Sequence, residues 1–450
     1  MPPKVALILC LLFIVFIIYI SDRKRENNIS WALLIPLIWM CVIGSRNISF
    51  YFPVKGINTP ADYLEGSPID RLFFGVLIII GVIILLKRNI SWRSAINQNI
   101  WISLLFLYCG VSILWSDFPS ISFKRFVKDI GNIIMVLIVV TDQKSEDALN
   151  LLLKRFGYIL LPLSITFYKY FPEIGRGYDG FTGKLIVTGA AINKNALGAL
   201  CLVSLIFLIW KSYFKPKEEI IYSKETEYYI NWIMIIMAIW LLVSSDSSTA
   251  DVCLIIGLVL IMCFELRIFK ANVYALKKAM YVCLLFVGFF IVINYQVIHT
   301  IVTLTGHQLT FWDRVSLWPE LIKLSSGSVL LGTGYDCYWL GERMEILWNK
   351  YWWHPTEAHN GYVEIFLELG VIGLILYCIF FVTCFNKIFK RIAGGDKNAI
   401  LQLAFFIVVL FYNITESAFK GLHLMWYVLL LVTIVYKHGE NRNVFKKKIL

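Results

Sequence analysis

Thirteen apolar runs, most of them 14–20 residues long and separated by short polar connections, constrain this chain more than anything else in it. They lie near 5–20, 29–44, 72–86, 100–115, 130–141, 158–170, 196–210, 232–245, 252–268, 279–298, 361–385, 399–413 and 421–436. The core of a water-soluble domain interleaves apolar and polar residues at helical or strand period. Continuous blocks of this length are instead what a bilayer selects, because a spanning helix needs about 20 predominantly apolar residues. Some runs fall short of that and must borrow from their flanks, so twelve spans fit as well as thirteen. The expected fold is all-α: a polytopic membrane protein of about 12–13 transmembrane helices, forming one integral membrane domain over 1–450. Composition agrees, with 59% hydrophobic and 16% charged residues against about 45–50% and 25% in soluble domains. It excludes disorder, a collagen-like repeat, a disulfide scaffold and a nucleic-acid-binding domain as the main content. Nine of the ten cysteines fall inside apolar runs and no C-x-x-C pair occurs, so they read as small membrane-embedded side chains.

The net charge of +12 is explained by topology rather than by nucleic acid. Alternate connections, from Arg23-Lys24-Arg25 through Lys87-Arg88, Lys154-Arg155, Lys211, Lys277-Lys278 and Lys390-Arg391 to the basic tail 437–450, hold 26 of the 42 Lys and Arg residues. By the positive-inside rule these connections face the cytoplasm. Three connections on the opposite, outer side are long: 45–71, 171–195 and 299–360. Long connections are where a membrane protein can place chemistry, so function is expected on the outer face, with 299–360 carrying part of the site.

Candidate residues cluster there. Where 299–360 runs into the next apolar helix, the sequence reads Glu357-Ala358-His359-Asn360-Gly361-Tyr362-Val363-Glu364, then Glu368. Asn360, Glu364 and Glu368 recur every four residues and share a helical face. Carboxylates inside a membrane helix are costly and normally face a cavity or a partner. His359 stands at the helix start, where the positive end of the dipole favours a neutral imidazole, suited to act as a general base. A loop histidine satisfied by hydrogen bonds, with Glu364 as a structural polar residue, fits the spacing too. Upstream, Arg314 lies between Trp312 and Trp318. It can fork onto a phosphate, snorkel to a headgroup or pair with Asp313. In 171–195, glycines flank Arg176, and Lys194 follows in Asn193-Lys194-Asn195-Ala196-Leu197-Gly198; an anion site and a flexible turn with solvated charges both fit. Lys124, Arg125 and Lys128, after Trp115-Ser116-Asp117-Phe118-Pro119, form a basic patch on the outer side. It either attracts an anion or marks a span whose limits differ from the apolar run. No P-loop, H-E-x-x-H, G-x-S-x-G or dinucleotide fingerprint occurs, and no metal site or cofactor is expected.

Together these segments resemble the bacterial O-antigen ligase and O-antigen (Wzy-type) and exopolysaccharide polymerase superfamily. His359-Asn360-Gly361-Tyr362 followed by Glu368-Leu369-Gly370-Val371-Ile372-Gly373-Leu374 is similar to its H-N-x-Y…E-x-G-x-x-G-L stretch. Asn193 to Gly198 is similar to its N-x-N-x-L-G segment, and Ser112-Ile113-Leu114-Trp115-Ser116 to a further frequent piece. Arg314-Val315-Ser316-Leu317-Trp318 resembles its T-G-R-x-x-x-W signature without the Thr-Gly. The resemblance spans roughly 100–435. It implies a C-type glycosyltransferase-like fold in the bacterial inner membrane with its active site facing the periplasm. It also implies a metal-independent, inverting glycosyltransferase whose donor is an undecaprenyl-diphosphate-linked oligosaccharide. His359 would take the proton of the acceptor hydroxyl. Arg314 and Arg176 would neutralise the diphosphate, Lys194, Arg125 and Asn360 are further substrate-binding candidates, and Glu364 or Glu357 would orient the imidazole. Polymerisation of O-antigen or exopolysaccharide repeats is the expected reaction. Ligation to lipid A–core, in lipopolysaccharide biosynthesis, is the alternative, and a non-catalytic polysaccharide flippase or transporter is the alternative of another class. Implied partners are the lipid-linked glycan, a glycan or lipid A–core acceptor, membrane lipids and a chain-length regulator protein.

Overall fold

The structure is a computed structural model that describes residues 1–22, 29–52, 67–179, 183–213, 223–265, 274–282 and 317–436. Arg314, most of the run 279–298, the start of the 299–360 connection and the tail 437–450 lie outside these residues. Twelve of the thirteen apolar runs fall on helices. The helices include, in chain order, α1 (Pro3–Asp22), α2 (Leu34–Ile43), α3 (Pro68–Lys87), α4 (Trp92–Gln98), α5 (Ile100–Ser112), α6 (Pro119–Val140) and α7 (Ser145–Tyr170). They continue with α8 (Lys194–Tyr213), α9 (Ser223–Ser245), α10 (Ser248–Glu265), α11 (Glu342–Lys350), α12 (Gly361–Ala393), α13 (Asn398–Tyr412) and α14 (Leu424–Thr433). The one sheet among the described residues is an antiparallel hairpin of β1 (Arg176–Tyr178) and β2 (Leu185–Val187), with Arg176 opposite Val187.

The chain is an all-α polytopic membrane protein. Among the described residues, six helices are long and apolar enough to cross a membrane alone: α1, α3, α7, α8, α9 and α12. The pair α4–α5, bent by 94°, makes a seventh crossing if it is one span. The apolar helices 31–43, α10, α13 and α14 are shorter and cross only with help from their flanks. Burial separates centre from rim. The apolar windows of α7 and α8 are 78% and 72% buried, those of α1 and α3 only 22% and 28%, so the latter two present their side chains to lipid. One expected boundary is corrected. The run at 130–141 belongs to a helix that starts at Pro119. Lys124, Arg125 and Lys128 therefore sit in its first turns, where their charge masks the helix from an apolar window.

Between helices in lipid, hydrophobic burial gives little net drive, so polar contacts and close packing hold the bundle. Asp129 on α6 accepts from Trp426 Nε1 (2.9 Å), Asn132 Nδ2 (3.0 Å) and the Tyr335 hydroxyl (2.7 Å). Asn132 in turn accepts from Trp39 Nε1 at 2.8 Å. One fully satisfied buried carboxylate thus ties α6, α14, α2 and the 317–360 segment.

Two ends of the bundle are distinguishable. At one end Lys154 binds Asp22 (2.9 Å) and Glu227 (3.4 Å), Arg155 binds Asp22 (2.7 Å), Lys211 binds Glu227 and Arg88 faces Asp142 (3.5 Å). These cations all belong to the set expected to face the cytoplasm. At the other end the long connections meet. Arg46 donates to the Ile174 carbonyl (2.7 Å), Thr249 meets Thr415 (2.8 Å), and Arg343 binds Asp117 (2.6 Å).

The segment 317–360 is anchored to α12 by a break in that helix. Gly370 has φ +65°, and a Cβ there would lie 2.3 Å from the Leu330 carbonyl. The amides of Val371 and Ile372 bond to the Val329 and Leu330 carbonyls (3.0 and 3.3 Å). The carbonyls of Leu367 and Glu368 are taken by the amides of Thr333 and Gly334 (3.0 and 2.9 Å). Helical hydrogen bonds are exchanged for loop bonds, so every backbone group at the break keeps a partner. Only glycine adopts this φ at no steric cost.

Candidate functional site

His359 lies just ahead of α12 in a left-handed conformation, φ +50°, which a non-glycine residue holds only where its surroundings enforce it. Those surroundings are the turn 413–420, between α13 and α14. Asn360 caps α12, its Oδ1 accepting from the amides of Tyr362 (3.0 Å) and Val363 (3.1 Å), while its Nδ2 donates to the Ile414 carbonyl (3.0 Å). Its own amide donates to Ser417 Oγ at 3.1 Å. The Gly361 amide reaches the Asn413 and Glu416 carbonyls (2.9 and 3.1 Å). A Cβ on Gly361 would sit 2.1 Å from Asn413 Oδ1, so the turn approaches closely only because this residue is glycine.

This docking brings three charged groups to the imidazole. His359 Nδ1 lies 3.1 Å from Glu357 Oε1 and 3.8 Å from Glu416 Oε2. The other oxygen of Glu357 is bound by the Lys420 ammonium. Burial raises the affinity of Glu357 for a proton, but Lys420 and His359 outweigh it and hold this carboxyl well below the usual carboxylate range. It is therefore an anion at any working pH. The dipole at the start of α12 is one influence on this ring, and two carboxylates lie nearer, at Nδ1. A proton on Nδ1 would face Glu357, and Nε2 would then be the acceptor.

Glu364 does not orient the imidazole. It accepts from Trp339 Nε1 (2.5 Å) and from the Ala358 amide (2.8 Å), with Ser417 Oγ 3.4 Å away. Its work is to fix the loop one residue before His359. Of the two carboxylates proposed as orienting groups, Glu357 reaches the ring and Glu364 holds the backbone that presents it. Trp353 stands beside the ring, with centroids 6.1 Å apart.

The cations expected to bind substrate are spread around this centre. Lys194, at the start of α8, is paired with Asp179 at 2.8 Å, and the next residue, Asn195, joins the site through Glu416 Oε1 (2.8 Å). Arg125 reaches across to Asp336, contacting its carbonyl (2.6 Å) and carboxylate (3.1 Å). Arg176 donates to the Tyr168 carbonyl (3.0 Å) and lies over that ring (4.8 Å). No described contact brings Arg125 or Arg176 to His359. Arg314 lies outside the described residues.

Glu416, Ser417 and Lys420 are site residues that the motifs do not contain. A signal for them is present: Asn413-Ile414-Thr415-Glu416-Ser417 and Lys420 form a polar insertion between two apolar runs on the outer side. Among the described residues, Glu357, His359 and Glu416 can each offer one metal-ligand atom, all within 4.8 Å of one another. The Lys420 ammonium on Glu357 already supplies positive charge there.

With this geometry in place, the relatives can be read. Residues 232–378 match the family described as O-Antigen ligase. ExoQ, an exopolysaccharide production protein of Rhizobium meliloti (strain 1021), is 24% identical over 314 residues, 66% of this chain and 67% of that protein. Both matches are to proteins of the O-antigen ligase and polymerase type. The O-antigen ligase match contains Glu357, His359, Glu364 and Glu368 and stops before the 413–420 turn, although that turn completes the histidine's surroundings. As a multi-pass membrane protein of this type, the chain has a ligase- or polymerase-like role in polysaccharide synthesis, as a glycan-transferring enzyme.

Proposed function

We propose that the chain is a glycosyltransferase that polymerises exopolysaccharide or O-antigen repeat units, moving a glycan from a polyprenyl-diphosphate donor to a sugar hydroxyl at the outer face. The observation that carries this is His359, with its Nδ1 set against Glu357 and Glu416; on this reading its Nε2 is the base. The acceptor hydroxyl gives its proton to Nε2 as its oxygen bonds to the anomeric carbon. The bond from that carbon to the diphosphate oxygen breaks in the same step, and polyprenyl diphosphate leaves. Back-side displacement of this kind inverts the anomeric centre. The growing negative charge on the diphosphate calls for fixed cations; Arg314 and Arg176 are the candidates, as the resemblance implies. The proton transferred from the acceptor leaves His359 as an imidazolium beside two carboxylates, which lowers the barrier to that transfer.

Polymerisation is preferred over ligation because the relative at 24% identity is named for exopolysaccharide production. The reading places the enzyme in the inner membrane with the site on the periplasmic side, since the basic end carries the positive-inside set. The test is an assay of purified protein in membranes with an undecaprenyl-diphosphate-linked repeat, with products read by gel and mass. A ladder of lipid-linked oligomers, undiminished by chelator, is expected. Capping of added lipid A–core without a ladder makes the protein a ligase. Inhibition by chelator with rescue by a divalent ion ends the metal-independent mechanism. Donor translocation without glycan transfer makes it a flippase.

A further inference from the structure

We infer that Arg46, a residue in none of the motifs, binds the phosphate of a membrane lipid at the loop-rich end of the bundle, with Arg176 as its companion. Read with the proposed function, on which this choice of source rests, the phosphate belongs to the diphosphate of the lipid-linked donor. A phospholipid headgroup presents the same chemistry. The observation is a buried charge without a counter-charge. Arg46 is only 8% exposed, and no carboxylate pairs with it among the described residues. Nη2 makes both of its hydrogen bonds there, to the Ile174 carbonyl (2.7 Å) and to Thr188 Oγ1 (3.3 Å). Nε is buried and has no acceptor. The Phe50 ring, 4.3 Å from the guanidinium, favours a cation but does not neutralise it. Asp70, at the far end of the same connection, is taken up by the Ser49 amide (2.9 Å) and hydroxyl (2.6 Å). Burial works against the charge on Arg46. An arginine that only snorkels carries its head into water, and those that join helices at the basic end, Arg88, Arg155 and Arg391, each meet a carboxylate. Arg46 does neither, and an anion from outside the chain is the group that completes it.

Geometry says how the guanidinium is aimed. Thr188 Oγ1 itself donates to the Ile174 carbonyl at 3.0 Å, so one hydroxyl and one carbonyl form a cradle that holds Nη2 and leaves the rest of the fork without an acceptor. Arg176 follows Ile174 by two residues and is half-buried. Its Nε donates to the Tyr168 carbonyl (3.0 Å) and its guanidinium lies 4.8 Å from that ring. Those contacts fix its plane and leave the Nη edge, which forks onto phosphate, with no carboxylate among the described residues. Both arginines therefore bear on the segment 174–188. From Thr188 the chain runs seven residues to Asn195, which donates to Glu416 beside His359. Seven residues span at most about 25 Å. An anion on Arg46 is thus held on the connection that leads to the histidine.

The test measures lipid binding to the full-length protein in maltoside micelles freed of phospholipid, by native mass spectrometry and by the shift in thermal midpoint, with no acceptor present. The probes are undecaprenyl diphosphate, undecaprenol and phosphatidylglycerol. Wild type is expected to prefer undecaprenyl diphosphate to undecaprenol, and Arg46→Gln to lose about 10-fold in affinity for the diphosphate while its affinity for undecaprenol stays the same. Arg46→Lys, which keeps the charge without the fork, is expected to lose several-fold, as is Arg176→Gln. Phosphatidylglycerol separates the sources. A loss confined to the diphosphate assigns the site to the donor; an equal loss for phosphatidylglycerol keeps the phosphate site and makes a headgroup its occupant. Wild-type affinity for both phosphate lipids in folded Arg46→Gln overturns the inference and leaves the proposed reaction standing. A wild type that binds neither phosphate lipid better than undecaprenol overturns the inference and the polyprenyl-diphosphate donor together. Should Arg46→Gln fail to fold, Thr188→Val keeps the charge and removes one of the two groups that aim it. Its affinity for the diphosphate is expected to fall several-fold, and wild-type affinity there overturns the inference.

Discussion

The two ends of the bundle use charge in opposite ways. At the basic end, each cation described above meets its carboxylate directly. Lys154, only 3% exposed in its side chain, sits between Asp22 and Glu227 and joins α1, α7 and α9. At the loop-rich end, two carboxylates converge on one imidazole, and a lysine binds the nearer of them. Paired charge fixes helices to each other and has no further chemistry to offer. Unequal charge around a histidine leaves a group whose proton affinity the site can set. The same residue types therefore build a joint at one end and a base at the other.

The largest effect that would separate the ends is on turnover. His359→Gln keeps a polar side chain at the ring's position but cannot accept a proton. Product formation is expected to fall by about 10²- to 10⁴-fold, with the thermal unfolding midpoint in detergent near wild type. At the other end Lys154→Met should do the reverse. Removing the buried cation leaves Asp22 and Glu227 without a shared partner, at a cost of about 3 kcal/mol, while each surviving folded molecule turns over normally. Midpoint and specific activity, measured together on both variants, break the comparison if Lys154→Met slows chemistry as much as it lowers stability.

How much of this could be read from the chain alone follows the same division. The helices were legible because bilayer thickness imposes a length on apolar runs. Where that rule misjudged, at α6, the first turns carry Lys124, Arg125 and Lys128, and an apolar window begins only after them. The approach to α12 was legible because Glu357, His359, Asn360 and Glu364 are close in sequence and unusual at a membrane helix. The separate tasks of Glu357 and Glu364 were not, since both are near His359 in sequence and only the left-handed backbone at that residue decides which one reaches the ring. Glu416 and Lys420 lie 57 and 61 residues downstream of His359, so no local spacing relates them to it. The close approach at Gly361 does. Arg125 shows the converse: a cation that read as an anion site also meets Asp336, a contact across more than 200 residues that no local spacing announces.

The smallest effect concerns acid. The folded form holds Glu357 below the usual carboxylate range, because Lys420 and His359 outweigh burial. A carboxyl with a depressed folded pKa adds stability that is fully present above its unfolded value, near 4.5, and lost as pH falls through the folded one. Between pH 5 and 8 Glu357 therefore contributes almost no slope to stability. Lys420→Met removes the larger of the two opposing influences and leaves burial in place. The titration of Glu357 then moves up, so the variant should unfold a few degrees below wild type at pH 7 and the gap should narrow as the medium is acidified, because less or none of the Glu357 contribution is left to lose. The basic-end variant Lys154→Met, measured alongside, should show a lowered curve with no new slope from Glu357. Wild-type and Lys420→Met curves that run parallel from pH 4 to 7 would mean that Lys420 does not govern the Glu357 charge. The contrast between the ends would then rest on Glu416 alone.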